Sequence, residues 1–163
     1  MRLRSLLRGQ HHFKGDRDAA VRLAAAEAAQ DDPLFDAELV RERAVGLFMA
    51  VQRAWSADDV SALGRLVGSE LMVEWQARLA DFRRKGWRNQ VEVLDGPEGR
   101  YVGVTNRAGD AEDRAVVLLT ARLRDVVLDR SGTCCPTSRV RSRASASIGP
   151  WASALRRRRL RGP

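Results

Sequence analysis

The residues best suited to acid–base chemistry occur as two adjacent carboxylate pairs, Asp58-Asp59 and Glu112-Asp113. Such pairs act as general acid and base when burial raises the pKa of one member while the other stays ionised. One pair falls at a helix start and the other at a turn, so both are expected to be solvated. His11 and His12 stand together in a basic N-terminus with no other ligand nearby, and Cys134-Cys135 has no second cysteine pair to complete a zinc set. The sequence shows no phosphate loop, dinucleotide fingerprint, nucleophile elbow or zinc helix. Hence no catalytic residue, metal ligand or cofactor is assigned. Four large aromatics, Trp55, Trp75, Trp87 and Tyr101, are the candidate ligand-binding residues, as the lining of an apolar pocket. Plain core packing competes with that role, because large aromatics at helical spacing serve a core first.

Helices must position most of these groups. Asp16–Gln30 is rich in helix formers and is stopped by Asp31-Asp32-Pro33. From Ala37 to Trp55, the residues Val40, Ala44, Leu47, Phe48, Val51 and Trp55 form one helical stripe, with Asp36 at the N-cap. Ser56 or Asp58 is expected to cap a short helix through Val67. A further helix opens at Ser69-Glu70, buries Leu71, Met72, Trp75, Leu79 and Phe82, and ends with Arg83-Arg84-Lys85 and a left-handed Gly86.

After Gly86 the period changes to two. Asn89–Asp95, Arg100–Arg107 and Arg114–Leu128 read as three strands, with hairpin-like turns at Gly96–Gly99 and Ala108–Ala111. Helices followed by antiparallel strands predict an α+β domain with amphipathic helices on one face of a curved sheet.

Charge divides the chain near Gly132. Residues 133–163 hold eight Arg and no acid, so they carry the whole net charge of +8, while residues 1–132 balance 21 basic against 21 acidic side chains. A pI near 11.0 would suggest nucleic acid or membrane as partner, but the part expected to fold is neutral. Residues 1–15 carry Arg2, Arg4, Arg8 and Lys14 and no acid. They either fray or lie on an anionic membrane surface. They lack the apolar run and cleavage site of a signal peptide, and no stretch of the chain is apolar for long enough to span a bilayer.

The order AVQRAWSADDVSALGRLV, SELMVEWQARLADFRRKGWRNQVEVL, RYVGVTN and VVLLTARLRDVVLDRSG resembles the Tim44-like domain, especially its bacterial members, over residues 36–132. The most specific pieces are Ala54-Trp55 before an acidic cap, Lys85-Gly86-Trp87-Arg88-Asn89 before a VEVL strand, and Arg122-Leu123-Arg124-Asp125-Val126. The resemblance implies a cone of the nuclear-transport-factor-2 type. It also implies a non-enzymatic binding or scaffold role at a membrane, with a protein or lipid partner, in the cytoplasm or peripheral on the inner membrane face. Two alternatives stand beside it: a small isomerase- or hydratase-like pocket enzyme on the same cone, and nucleic-acid binding through Arg156–Arg159, the less expected partner. The family's closing strands have no counterpart after Gly132, where residues 133–163 show no period of two or 3.6. That segment is expected to be a disordered Arg-rich tail, read as an out-of-frame end. The last strand of the body would then be an open edge.

Overall fold

The computed structural model describes residues 3–105, 113–134, 139–141 and 146–148, with side chains for 15–105 and 113–134. Five helical elements precede the strands: α1 (Leu3–Asp31), a 3-10 turn (Pro33–Phe35), α2 (Ala37–Ser56), α3 (Val60–Leu66) and α4 (Ser69–Lys85). The strands β1 (Arg88–Thr105), β2 (Arg114–Leu128), β3 (Arg139–Arg141) and β4 (Ala146–Ile148) follow. The chain is therefore α+β with an antiparallel sheet, in which β1 pairs with β2 and both β3 and β4 pair with β2.

The chain forms two compact units. One comprises Met1–Glu42, Arg100–Leu118 and Ser147–Pro163, and the other Arg43–Gly99 and Leu119–Ala146. In the first, α1 packs with the 3-10 turn, whose Asp32 cap accepts a hydrogen bond from the Leu34 N–H. Ala25, Ala28, Phe35, Val40, Ala115 and Val117 are buried there. Helix α1 starts at Leu3, well before the expected Asp16. Asp36 caps α2 as expected, accepting from the Leu39 N–H at 2.9 Å.

In the second unit Ala54, Leu63, Met72 and Leu79 form a buried cluster, with Trp55, Trp75 and Phe82 packed against it. Burial of a leucine side chain such as Leu63 contributes about 2–3 kcal/mol. The Arg83–Asp58 ion pair, at 2.6 Å, is exposed and screened by solvent, so it adds little. Apolar burial therefore holds α3 on α4. Asp59 caps α3 by accepting from the Ala62 N–H, correcting the expected cap at Ser56 or Asp58. Leu71, expected inside, is 41% exposed, because it lies a quarter-turn from Met72 on the outer side of α4. Helix α4 ends as expected on Gly86, at φ 68°.

Two strand expectations need correction. Residues 88–105 form one strand where a hairpin was expected at Gly96–Gly99. Gly96 instead takes φ 79° inside β1, and a Cβ there would lie 2.8 Å from the Thr120 carbonyl oxygen of β2. The glycine allows a bend at a close approach of two strands. The other expected turn, Ala108–Ala111, lies outside the described residues. Strand β2 buries alternate residues from Ala115 to Leu123 and again at Val127. Its far edge, expected to be open, carries β3 in the register Leu123↔Arg141 to Asp125↔Arg139, and β4 also pairs with β2. Beyond Gly132 the chain first turns back along β2: Asp129 accepts from the N–H groups of Ser131 and Thr133, and Cys134 bridges Leu128. The Ser131 hydroxyl, with these amides, holds the Asp129 carboxyl below its usual range.

Candidate functional site

Helix α2 carries a second row of residues beside its buried stripe. Met49, Gln52, Arg53 and Ser56 follow one another at helical spacing and share one face. On β1, Val91 and Val93 are two apart and share a face of the strand. Together with Ala57 they line an open groove of about 410 Å³ within the second unit. That volume falls within the range of small-ligand sites.

Ser56 joins the two walls. Its hydroxyl accepts from the Val91 N–H at 2.9 Å and lies 3.4 Å from the Val91 carbonyl, to which it donates. Just behind, the Trp55 indole donates to the Asn89 side-chain oxygen, and the Asn89 amide donates to the Asp125 carboxylate and, at 3.1 Å, to the Val126 carbonyl. Asp125 shares the face of β2 that carries the buried residues, so Asn89 supplies a donor to a carboxylate placed toward the interior. Trp55 also meets Trp75 edge to face, with ring centres 5.1 Å apart. This contact is worth about 1 kcal/mol beyond area burial.

Arg53 is the one ionisable group among the lining residues, and it is exposed. An arginine stays protonated, so it can attract an anion but cannot shuttle a proton. The Ser56 hydroxyl is engaged by Val91, and no general base lines the groove. Among its lining residues the groove offers apolar side chains and one cation.

The expected site residues are distributed differently. Trp55 and Trp75 touch, while Trp87 lies in the same unit beneath the Lys85 ammonium, 5.0 Å from the ring centre. Tyr101 belongs to the other unit, where burial pushes its hydroxyl up to about 12. The Tyr101 oxygen is buried and has no hydrogen-bond partner among the described residues. None of the four lines the groove. Asp59 is a helix cap, and Asp58, at φ 55°, accepts from Arg83. Asp113 is buried and engaged rather than solvated, and Glu112 lies outside the described residues. His11, His12, Cys135 and Arg156–Arg159 also lie outside those described, at least in their side chains; Cys134 is an exposed free thiol. Among the described residues no three His, Cys, Asp or Glu side chains gather for a metal, and no helix is long and apolar enough to cross a membrane.

Sequence reasoning missed Met49, Gln52, Arg53, Val91 and Val93. A signal existed in the spacing of 49, 52, 53 and 56, but it lies beside the more apolar stripe that ends at Trp55 and is masked by it.

With the helices, the strands and the groove in place, the family model of the Tim44-like domain matches residues 21–141. The chain belongs to the Tim44-like domain family. The match begins earlier than the expected residue 36 and continues past Gly132 to the end of β3. No curated protein matches the chain.

Proposed function

We propose that this Tim44-like domain is a non-enzymatic binding or scaffold module on a nuclear-transport-factor-2-type cone, working at a membrane surface and engaging a protein or lipid partner there. Its place would be the cytoplasm or, peripherally, the inner membrane face. The observation that supports this reading is the groove between α2 and β1, with an apolar lining, a single cation and no acid–base group. Family membership adds weight, since the family's implied role is to bind. Trp55, one of the four aromatics expected at a ligand site, enters this reading as support for the wall: it holds Asn89 and thereby the start of β1.

The test uses the full chain with two probes: vesicles of phosphatidylglycerol or phosphatidylcholine, and a panel of labelled extended peptides. Saturable binding to either probe, weakened by Arg53→Glu, is the expected result. Failure to bind either probe would sink the proposal.

A further inference from the structure

Strand β1 has only β2 as a strand neighbour among the described residues, so its other edge faces away from the sheet. Backbone groups alternate sides along a strand. The Val91 N–H and C=O turn away from β2, because they meet the Ser56 hydroxyl on α2. The same alternation turns the N–H and C=O of Val93 and Asp95 to that edge. Ser56 closes the edge at one end. At the other, Gly96, with φ 79°, and Pro97, with no N–H, end any regular ladder. Between these stops lies a short stretch of open edge, about three residues long, that borders the groove. Val93 contributes both to the edge and to the groove lining, and Arg53 stands exposed on the opposite wall with no ion pair among the described residues.

The geometry points to one occupant: a short extended segment of a partner protein that adds as a strand to β1 at Val93, lays an apolar side chain between Met49 and Val93, and sets a carboxylate on Arg53. Main-chain hydrogen bonds would supply affinity, the groove a side-chain pocket and the arginine a preference for acid, as in other strand-addition sites. The segment is short because Ser56 already occupies the next pairing position. This inference rests on the binding reading above and narrows its partner from protein or lipid to an acidic, extended peptide.

The probes are fluorescein-labelled heptapeptides of alternating valine and threonine, with Glu or Lys at one scanned position. Binding to the full chain is read by fluorescence polarisation and by amide hydrogen exchange. The best Glu peptide should bind about fivefold tighter than its Lys counterpart, and Arg53→Glu should invert that order. Exchange at the Val93 amide should slow on binding, and Val93→Pro should abolish binding, since it removes the edge donor. If Val93→Pro does not fold, the charge inversion and the exchange readout decide the matter. Equal affinity for Glu and Lys peptides, or Glu-peptide binding with no slowing at Val93, overturns the proposal. If no peptide binds while anionic vesicles bind through Arg53, strand addition is wrong and the broader binding role survives. If neither probe binds, both fall.

Discussion

Tyr101 and Asn89 are polar residues whose surroundings differ in opposite ways. Asn89 finds partners on three sides, the Trp55 indole, the Asp125 carboxylate and the Val126 carbonyl, so its amide is fully used. The Tyr101 hydroxyl finds none among the described residues. A buried hydroxyl without a partner costs about 1–3 kcal/mol, so Tyr101→Phe is expected to leave stability at neutral pH unchanged or slightly higher in a urea titration. Burial also raises the tyrosine pKa from 10.0 to about 12, favouring the protonated form in the folded state. The contribution of that proton is complete below pH 10 and is lost as pH rises toward 12. Tyr101 is the single tyrosine of the chain, so tyrosinate absorbance reports it alone. Its midpoint should lie near 12 in the folded protein, and return to about 10 in urea. The alkaline loss of stability should disappear in Tyr101→Phe. Neither residue's role was legible in the sequence, since each depends on what another element places opposite it.

At the scale of elements, helices were read best. Helix α4 runs from Ser69 to Lys85 and stops on Gly86, as the cationic last turn and the glycine imply. Helix α2 starts at Ala37 under its Asp36 cap. Caps and helical periodicity are local signals, carried within a few residues. At Gly96–Gly99 the Gly-Pro pair is also a local signal, for a turn, and tertiary contact overrides it here. Gly96 is needed for its φ of 79° and for the 2.8 Å approach of a Cβ to Thr120. Gly96→Ala should therefore cost about 2 kcal/mol or more. Gly46 in α2 offers a contrast, with open space around it and no strain. Gly46→Ala should stabilise by about 0.5–1 kcal/mol through helix propensity. Thermal melts of the two variants, taken side by side, check the argument, and similar shifts in the two would contradict it.

For the whole molecule, the decisive asymmetry is of charge. Residues 1–132 are neutral and residues 133–163 carry +8, four of the charges at Arg156–Arg159. Any attraction of the chain to a polyanion should therefore be long-range, salt-sensitive and traceable to that segment. Replacing Arg156–Arg159 by Gln should lower the slope of log affinity for heparin against log salt by up to about 4. An unchanged slope would place the anion-binding charge elsewhere. The groove binding proposed for Arg53 draws on a charge outside residues 133–163 and should outlast the loss of the four arginines.

What the sequence determined by itself is the α+β class, the family, the course of α2 and α4, and the uneven charge, because composition, periodicity and caps are properties of neighbouring residues. The expected lining residues Trp55, Trp75, Trp87 and Tyr101 stand out by size, and size alone says nothing about which side chains meet. Only the tertiary structure decided that Ser56 leaves the expected cap to bind β1, that β1 continues past Gly96-Pro97 with a bend instead of turning back, and that β2 has partners on both sides. The groove followed from those decisions. Its walls come from segments some 35 residues apart, joined at Ser56 and Val91 by a hydrogen bond that no local pattern announces.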